Sequence, residues 1–156
     1  MKPARAGWLY VRLHGMAWSV TLTSAQDGTT LSLWDAAKRR LQDSDGPEYY
    51  EVQVSGPNVS ARQQVYGYAG TGLLELFESL AQNWKGWDGE KLWSSLEGEF
   101  SLSATADRLG HVWLGYRLRG DDRGDTWELK GSLLLEAGQL DAIAREMRAF
   151  WNASAT

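Results

Sequence analysis

The chain is expected to fold as an α+β domain: a largely antiparallel, meandering β-sheet of about seven to eight strands packed against two main helices, near residues 71–84 and 137–151. Three observations carry this expectation. Apolar and polar residues alternate in short runs through most of the chain, the period of a strand with one buried face. The runs are joined by short turn-forming stretches, which favours antiparallel neighbours. Only two long stretches adopt a helical period instead. With 156 residues, 43% of them hydrophobic and 23% charged, the chain has the size and composition of one domain, spanning 1–156, with a core of its own.

Taken in order, Leu9, Val11 and Leu13 alternate with Trp8, Tyr10, Arg12 and His14, and Trp18, Val20 and Leu22 alternate with Ser19, Thr21 and Thr23. Leu31 and Leu33 repeat the pattern against Thr30 and Ser32. Gly15 and Gln26-Asp27-Gly28 supply turns between these runs, so the opening is predicted as a three-stranded meander. Trp34 to Gln42 suits a short helix capped by Asp35, although its apolar face is thin. A loop follows from Asp43 to Pro47. Tyr49–Ser55 and Val59–Tyr68 form a predicted hairpin about Gly56-Pro57-Asn58.

At Thr71 the period changes. Leu73, Leu74, Phe77, Leu80, Ala81 and Trp84 fall on one side of a helix, with Glu75, Glu78 and Gln82 on the other, and Thr71 is placed to cap it. Gly86 and Gly89 end the pattern, and Glu90 to Leu96 is expected to form another short helical turn. Phe100, Leu102 and Ala104 then pair in a hairpin with Val112, Leu114, Tyr116 and Leu118, turning at Asp107–Gly110. Trp127, Leu129, Gly131, Leu133 and Leu135 continue as a third strand beyond the charged loop Asp121–Asp125. The closing helix places Leu140, Ile143, Ala144, Met147, Phe150 and Trp151 inward.

Composition narrows the function. Sixteen Lys plus Arg against twenty Asp plus Glu give a formal charge of −4, so the overall electrostatic attraction on which nucleic-acid binding depends is missing. Cysteine is absent, which removes thiol nucleophiles, thiolate metal sites and redox pairs. The basic start of the chain does not read as a signal peptide, because Arg12 and His14 interrupt its apolar run. No window approaches the roughly 20 apolar residues that span a bilayer. A soluble, cytoplasmic protein without a membrane partner is expected.

One stretch is distinctive. WKGWDGEKLWSSLEG, from Trp84 to Gly98, places three tryptophans and three glycines just past a helix. With the Asp107-Arg108-Leu109-Gly110-His111-Val112 strand start, it resembles a small bacterial family of uncharacterised domains. That family shares a W-x-GW-x-G-x-x-x-W-x-S-L-E-G signature followed by D-x-x-GHV. The resemblance covers roughly Tyr49 to Phe150; it implies the element order given above and no catalytic residue.

Trp84, Trp87 and Trp93 have two readings: a platform on which a sugar, base or peptide stacks, or a plug between helix and sheet. Trp113 shares the odd face of its strand with His111, Gly115 and Arg117. That face points outward if Val112, Leu114, Tyr116 and Leu118 are core, and aromatics with arginine are enriched at protein-binding hot spots. Helices on both sides of the sheet would bury it instead. Asp88, Glu90, Glu97 and Glu99, followed by Asp107 and His111, are the best acids for a hydrolase. Acids in loops are usually solvated, however, and Asp107 with His111 also suits a turn. No nucleophile or phosphate-loop motif accompanies them. Two histidines and the Asp121, Asp122, Asp125 loop match no zinc or calcium spacing, so no metal or cofactor is expected.

The residues therefore point to a non-enzymatic binding or accessory protein acting through a protein–protein surface, with Trp87, Trp93, Trp113, His111 and Arg117 as candidate binding residues. Its expected partner is a protein, basic in the case of an immunity-like role, or a second copy of the chain. The alternatives are a small-ligand or carbohydrate-binding module using the clustered tryptophans, and a hydrolase using the acids near 88–111.

Overall fold

A computed structural model describes residues 19–35, 46–67, 71–120 and 126–152 of the chain. They form eight strands and two helices: β1 Ser19–Thr23, β2 Thr30–Trp34, β3 Tyr49–Gly56, β4 Val59–Tyr66, α1 Thr71–Gln82, β5 Lys91–Ser94, β6 Phe100–Ala106, β7 His111–Arg119, β8 Glu128–Glu136 and α2 Ala137–Asn152. The α+β class expected from the periodicity is the one observed. The strands divide into two antiparallel sheets of four, ordered β1-β2-β3-β4 and β5-β6-β7-β8. The strand expected at Trp8–His14 and most of the helix expected at Trp34–Gln42 lie outside the described residues.

Within each sheet every strand pairs with its neighbour in sequence, and the turns set the register. Asp27 shapes the β1–β2 turn by accepting the Thr29 amide at 2.9 Å, while Gly28 takes the left-handed φ of 77° that the reversal needs. The β3–β4 turn pairs Gly56 with Val59 and, at the far end of the hairpin, Tyr49 with Tyr66. Leu22, Leu31, Val52 and Val54 of the first sheet are fully buried, as are Phe100, Leu114, Leu118 and Leu133 of the second. They share one core with Leu73, Phe77 and Leu80 of α1 and Met147, Phe150 and Trp151 of α2. Gly131 stands where a side chain would collide with the Tyr116 ring, so this glycine is what allows a tyrosine to lie flat beneath β8.

Two segments depart from the sequence expectation. Glu90–Leu96 does not turn as a helix; Lys91–Ser94 is the edge strand β5, paired with Ser101–Ala104. Its side chains alternate, with Trp93 packed edge-on against Phe100 at 5.4 Å and Leu92 exposed. Pairing with β6 thus outweighs a helical preference that four residues cannot sustain. Trp84 lies beyond the last turn of α1 and is 53% exposed, not on the buried helix face. The face is completed instead by Leu76, which is buried.

Among the described residues, hydrogen bonds join the two sheets at both ends. The Ala25 amide donates to the Leu134 carbonyl at 2.8 Å, and the Leu134 amide donates to Ser24 Oγ at 3.1 Å. At the opposite end Gln63 Nε2 donates to the Arg119 carbonyl at 2.6 Å. No helix among the described residues is long and apolar enough to cross a membrane.

Candidate functional site

Alternation along β7 separates its side chains by face. Val112, Leu114, Tyr116 and Leu118 are buried in the core, so His111, Trp113, Gly115 and Arg117 lie on the outer face. Trp113 is 39% exposed there. Its cross-strand neighbours are Thr105 on β6 and Leu134 on β8. Next to it runs a shallow groove of about 640 Å³ across the sheet, bordered by Leu92, Ser101, Ser103, Gly115, Arg117 and Lys130. The groove exists because its floor is small: a Cβ on Gly115 would stand 2.6 Å from Ser103 Oγ. At one end Arg117 pairs with Glu128, which also holds Lys130 at 3.6 Å. Hydrogen bonding and the charge of Arg117 keep the Glu128 carboxyl below its usual range.

The five candidate residues do not converge. Trp87 and Trp93 are half-buried against the core. Trp87 donates from Nε1 to the Ala104 carbonyl at 3.3 Å and carries Lys91 Nζ over its ring at 5.5 Å. Trp93 faces α1, where a Cβ on Gly72 would come within 3.1 Å of the indole. His111 sits at the start of β7 with Nδ1 2.8 Å from Asp107 Oδ2. Asp107 also accepts the Leu109 and His111 amides, and those bonds hold its carboxyl below its usual range. That set of bonds shapes the β6–β7 turn. Trp113 and Arg117 are left on the open face, with His111 at its margin.

A second concavity was not legible from single motifs. Where β4 meets the β5–β6 turn and the start of β8, a cleft of about 580 Å³ is lined by Tyr49, Tyr66, Gln63, Glu97, Glu99 and Trp127, among others. Tyr49 and Tyr66 are cross-strand partners with ring centroids 5.1 Å apart. Trp127, just before β8, is 37% exposed. The cleft is floored by Glu99, only 8% exposed. Its carboxylate accepts the Ser95 hydroxyl and the Tyr66 amide. The signal that could have found Tyr49 and Tyr66 is the hairpin itself, because its turn fixes their pairing on one face.

Burial raises the Glu99 carboxyl above its ordinary 4.5, with Glu97 adding to the effect and the Ser95 hydroxyl and the amides of Glu99 and Tyr66 opposing it. A raised value means the folded state holds this proton more tightly than the unfolded chain. The stability it contributes is therefore complete below pH 4.5 and is lost as pH rises through the raised value. Glu99→Gln keeps the acceptor oxygen without the charge. Its melting temperature is expected to gain on wild type as pH rises from about 4 to about 8; an offset that stays constant across that range contradicts the assignment.

Among the described residues no three metal-ligating side chains gather. The fold defines an α+β domain of two antiparallel four-stranded meanders sharing a core with a helix pair. The model of a family of unknown function, DUF6228, matches residues 22–154. The chain belongs to that family, in keeping with its resemblance to an uncharacterised group of domains. No curated protein and no solved structure matches it.

Proposed function

We propose that the protein is a non-catalytic binding domain that acts through the outer face of β5–β8, with Trp113 as the anchor and a protein of basic contact surface as the partner. The observation that supports this is the exposed Trp113 in the middle of a strand face, beside a groove with a floor of small residues. A large ring that leaves water on association contributes strongly to affinity, and tryptophan is enriched among such anchors. Glu128 engages both Arg117 and Lys130 and offsets one of their two positive charges. The net charge of −4 favours a basic partner. An immunity-like role, in which the domain covers a basic toxin, is one form of this reading.

The test places a photo-crosslinking amino acid at the exposed Leu92 on the border of the groove and, as a control, at the exposed Glu146 of α2, in the cells that make the protein. The partner recovered at 92 is then purified and its affinity measured against wild type and Trp113→Ala, both shown to be folded by circular dichroism. A Kd raised roughly 30-fold by the substitution is expected of a hot spot. Equal adducts at both positions, or an adduct only between two copies of the chain, overturn the proposal.

A further inference from the structure

We infer that the cleft between β4 and the β5–β6 turn is a binding site for an organic cation, the guanidinium or ammonium end of an arginine or lysine side chain in a polypeptide. Its chemistry is independent of the Trp113 face.

Three features of the cleft converge on a positive ligand. Glu99 is a carboxylate more than nine-tenths buried, and the groups that hold it are neutral donors, the Ser95 hydroxyl and the Tyr66 amide. Among the described residues no lysine or arginine pairs with it. A buried carboxylate left without a countercharge is costly, and a ligand cation at 3–4 Å would supply one. Glu97 stands on the rim, exposed and likewise without an ion pair among the described residues. Around these acids are the exposed faces of Tyr49 and Trp127 and the Tyr66 ring, tilted 39° against Tyr49. Aromatic faces carry negative potential and attract ammonium and guanidinium groups.

Among the described residues the cations at the cleft, Arg62 in its lining and Arg119 beside it, are already engaged. Arg62 lies 5.0 Å over the Trp34 ring and pairs with Glu51 at 3.3 Å. Arg119 donates to the Gly98 and Glu97 carbonyls at 3.1 and 3.3 Å, and so fastens the β5–β6 turn without reaching the Glu99 carboxylate. Gln63 is likewise held, donating to the Arg119 carbonyl and accepting the Gln64 amide at 2.9 Å. The volume of about 580 Å³ has room for one long basic side chain and the peptide that bears it.

The experiment is an NMR titration of the whole chain with N-acetyl-arginine amide, N-acetyl-lysine amide, the uncharged isostere N-acetyl-citrulline amide, and methyl β-glucoside. The cations are expected to shift the Trp127 indole N–H and the Tyr49 and Tyr66 ring signals at millimolar concentration. Citrulline at the same concentration should shift them little, and added salt should weaken the cations. Glu99→Gln is expected to raise the Kd for arginine roughly tenfold. Glu97→Gln, on an exposed rim residue that folding does not need, should weaken binding in the same direction and keeps the test open if Glu99→Gln fails to fold. Citrulline binding as well as arginine, the glucoside binding better, or no shift with either cation overturns the assignment. None of these results depends on whether Trp113 contacts a partner.

Discussion

Phe150→Ala is expected to lower the unfolding free energy by about 3–5 kcal/mol, the cost of emptying a fully buried aromatic site that its surroundings cannot refill. Phe150 is wholly buried in α2 and stands edge-on to Tyr50 at 6.2 Å and beside Trp151 at 6.3 Å. In a chain of this size the loss corresponds to a fall in melting temperature of roughly 6–20 °C, read directly by thermal or urea unfolding. A loss below about 1 kcal/mol would show that the site collapses and that the aromatic cluster is not the rigid body drawn here. The consequence reaches the cleft. Tyr50 is fully buried, and its hydroxyl has no hydrogen-bond partner among the described residues. Burial, and then the Glu99 charge, push its pKa up.

Gly67→Ala carries the second large effect. The Gly67 amide donates to the Glu48 carbonyl at 2.7 Å, drawing two backbone segments so close that a Cβ would overlap the Pro47 carbonyl oxygen. The obstacle is main chain, so no rotamer change relieves it. The loss is expected to reach about 3 kcal/mol or more. Gly138→Ala is the control: a Cβ there meets nothing within 4 Å, and in a helix alanine is favoured by up to about 1 kcal/mol. Equal melting temperatures for the two variants would refute the close approach at Gly67. Because Tyr66, next in the chain, walls the cleft and holds Glu99, the first variant should also lose the cation response.

The strands were legible wherever one face is buried and the other wet. Leu102 and Ala104 against Ser101 and Ser103, or Val112 and Leu114 against Trp113 and Gly115, leave no other register. The helices were legible from Leu73, Phe77 and Leu80, and from Leu140, Met147 and Phe150, for the same reason with a period of 3.6. Lys91–Ser94 was not, because a four-residue edge strand takes its structure from β6 across the ladder and not from its own pattern. Trp84 belonged by spacing to the helix face, but α1 stops at Gln82, two residues before it.

The cleft was hidden for a different reason. Tyr66, Glu99 and Trp127 are far apart in sequence and meet only once two sheets dock; no local pattern encodes that meeting. Glu97 and Glu99 were visible as acids, but the burial of Glu99 was not. Conversely, Trp87 and Trp93 drew notice by composition, whereas packing against the core accounts for their placement.

Within each sheet successive strands pair, so its loop closures, the longer 35–48 connection apart, are short. The bonds between the sheets are of another kind: Gln63 to Arg119 spans 56 residues of chain, and Ser24 to Leu134 spans 110. Such closures are entropically expensive and come late in folding. The cleft lies across the junction of the sheets. A molecule bound there contacts both sheets at once, and by binding only the docked arrangement it would add its own binding free energy to the shared core that already joins them.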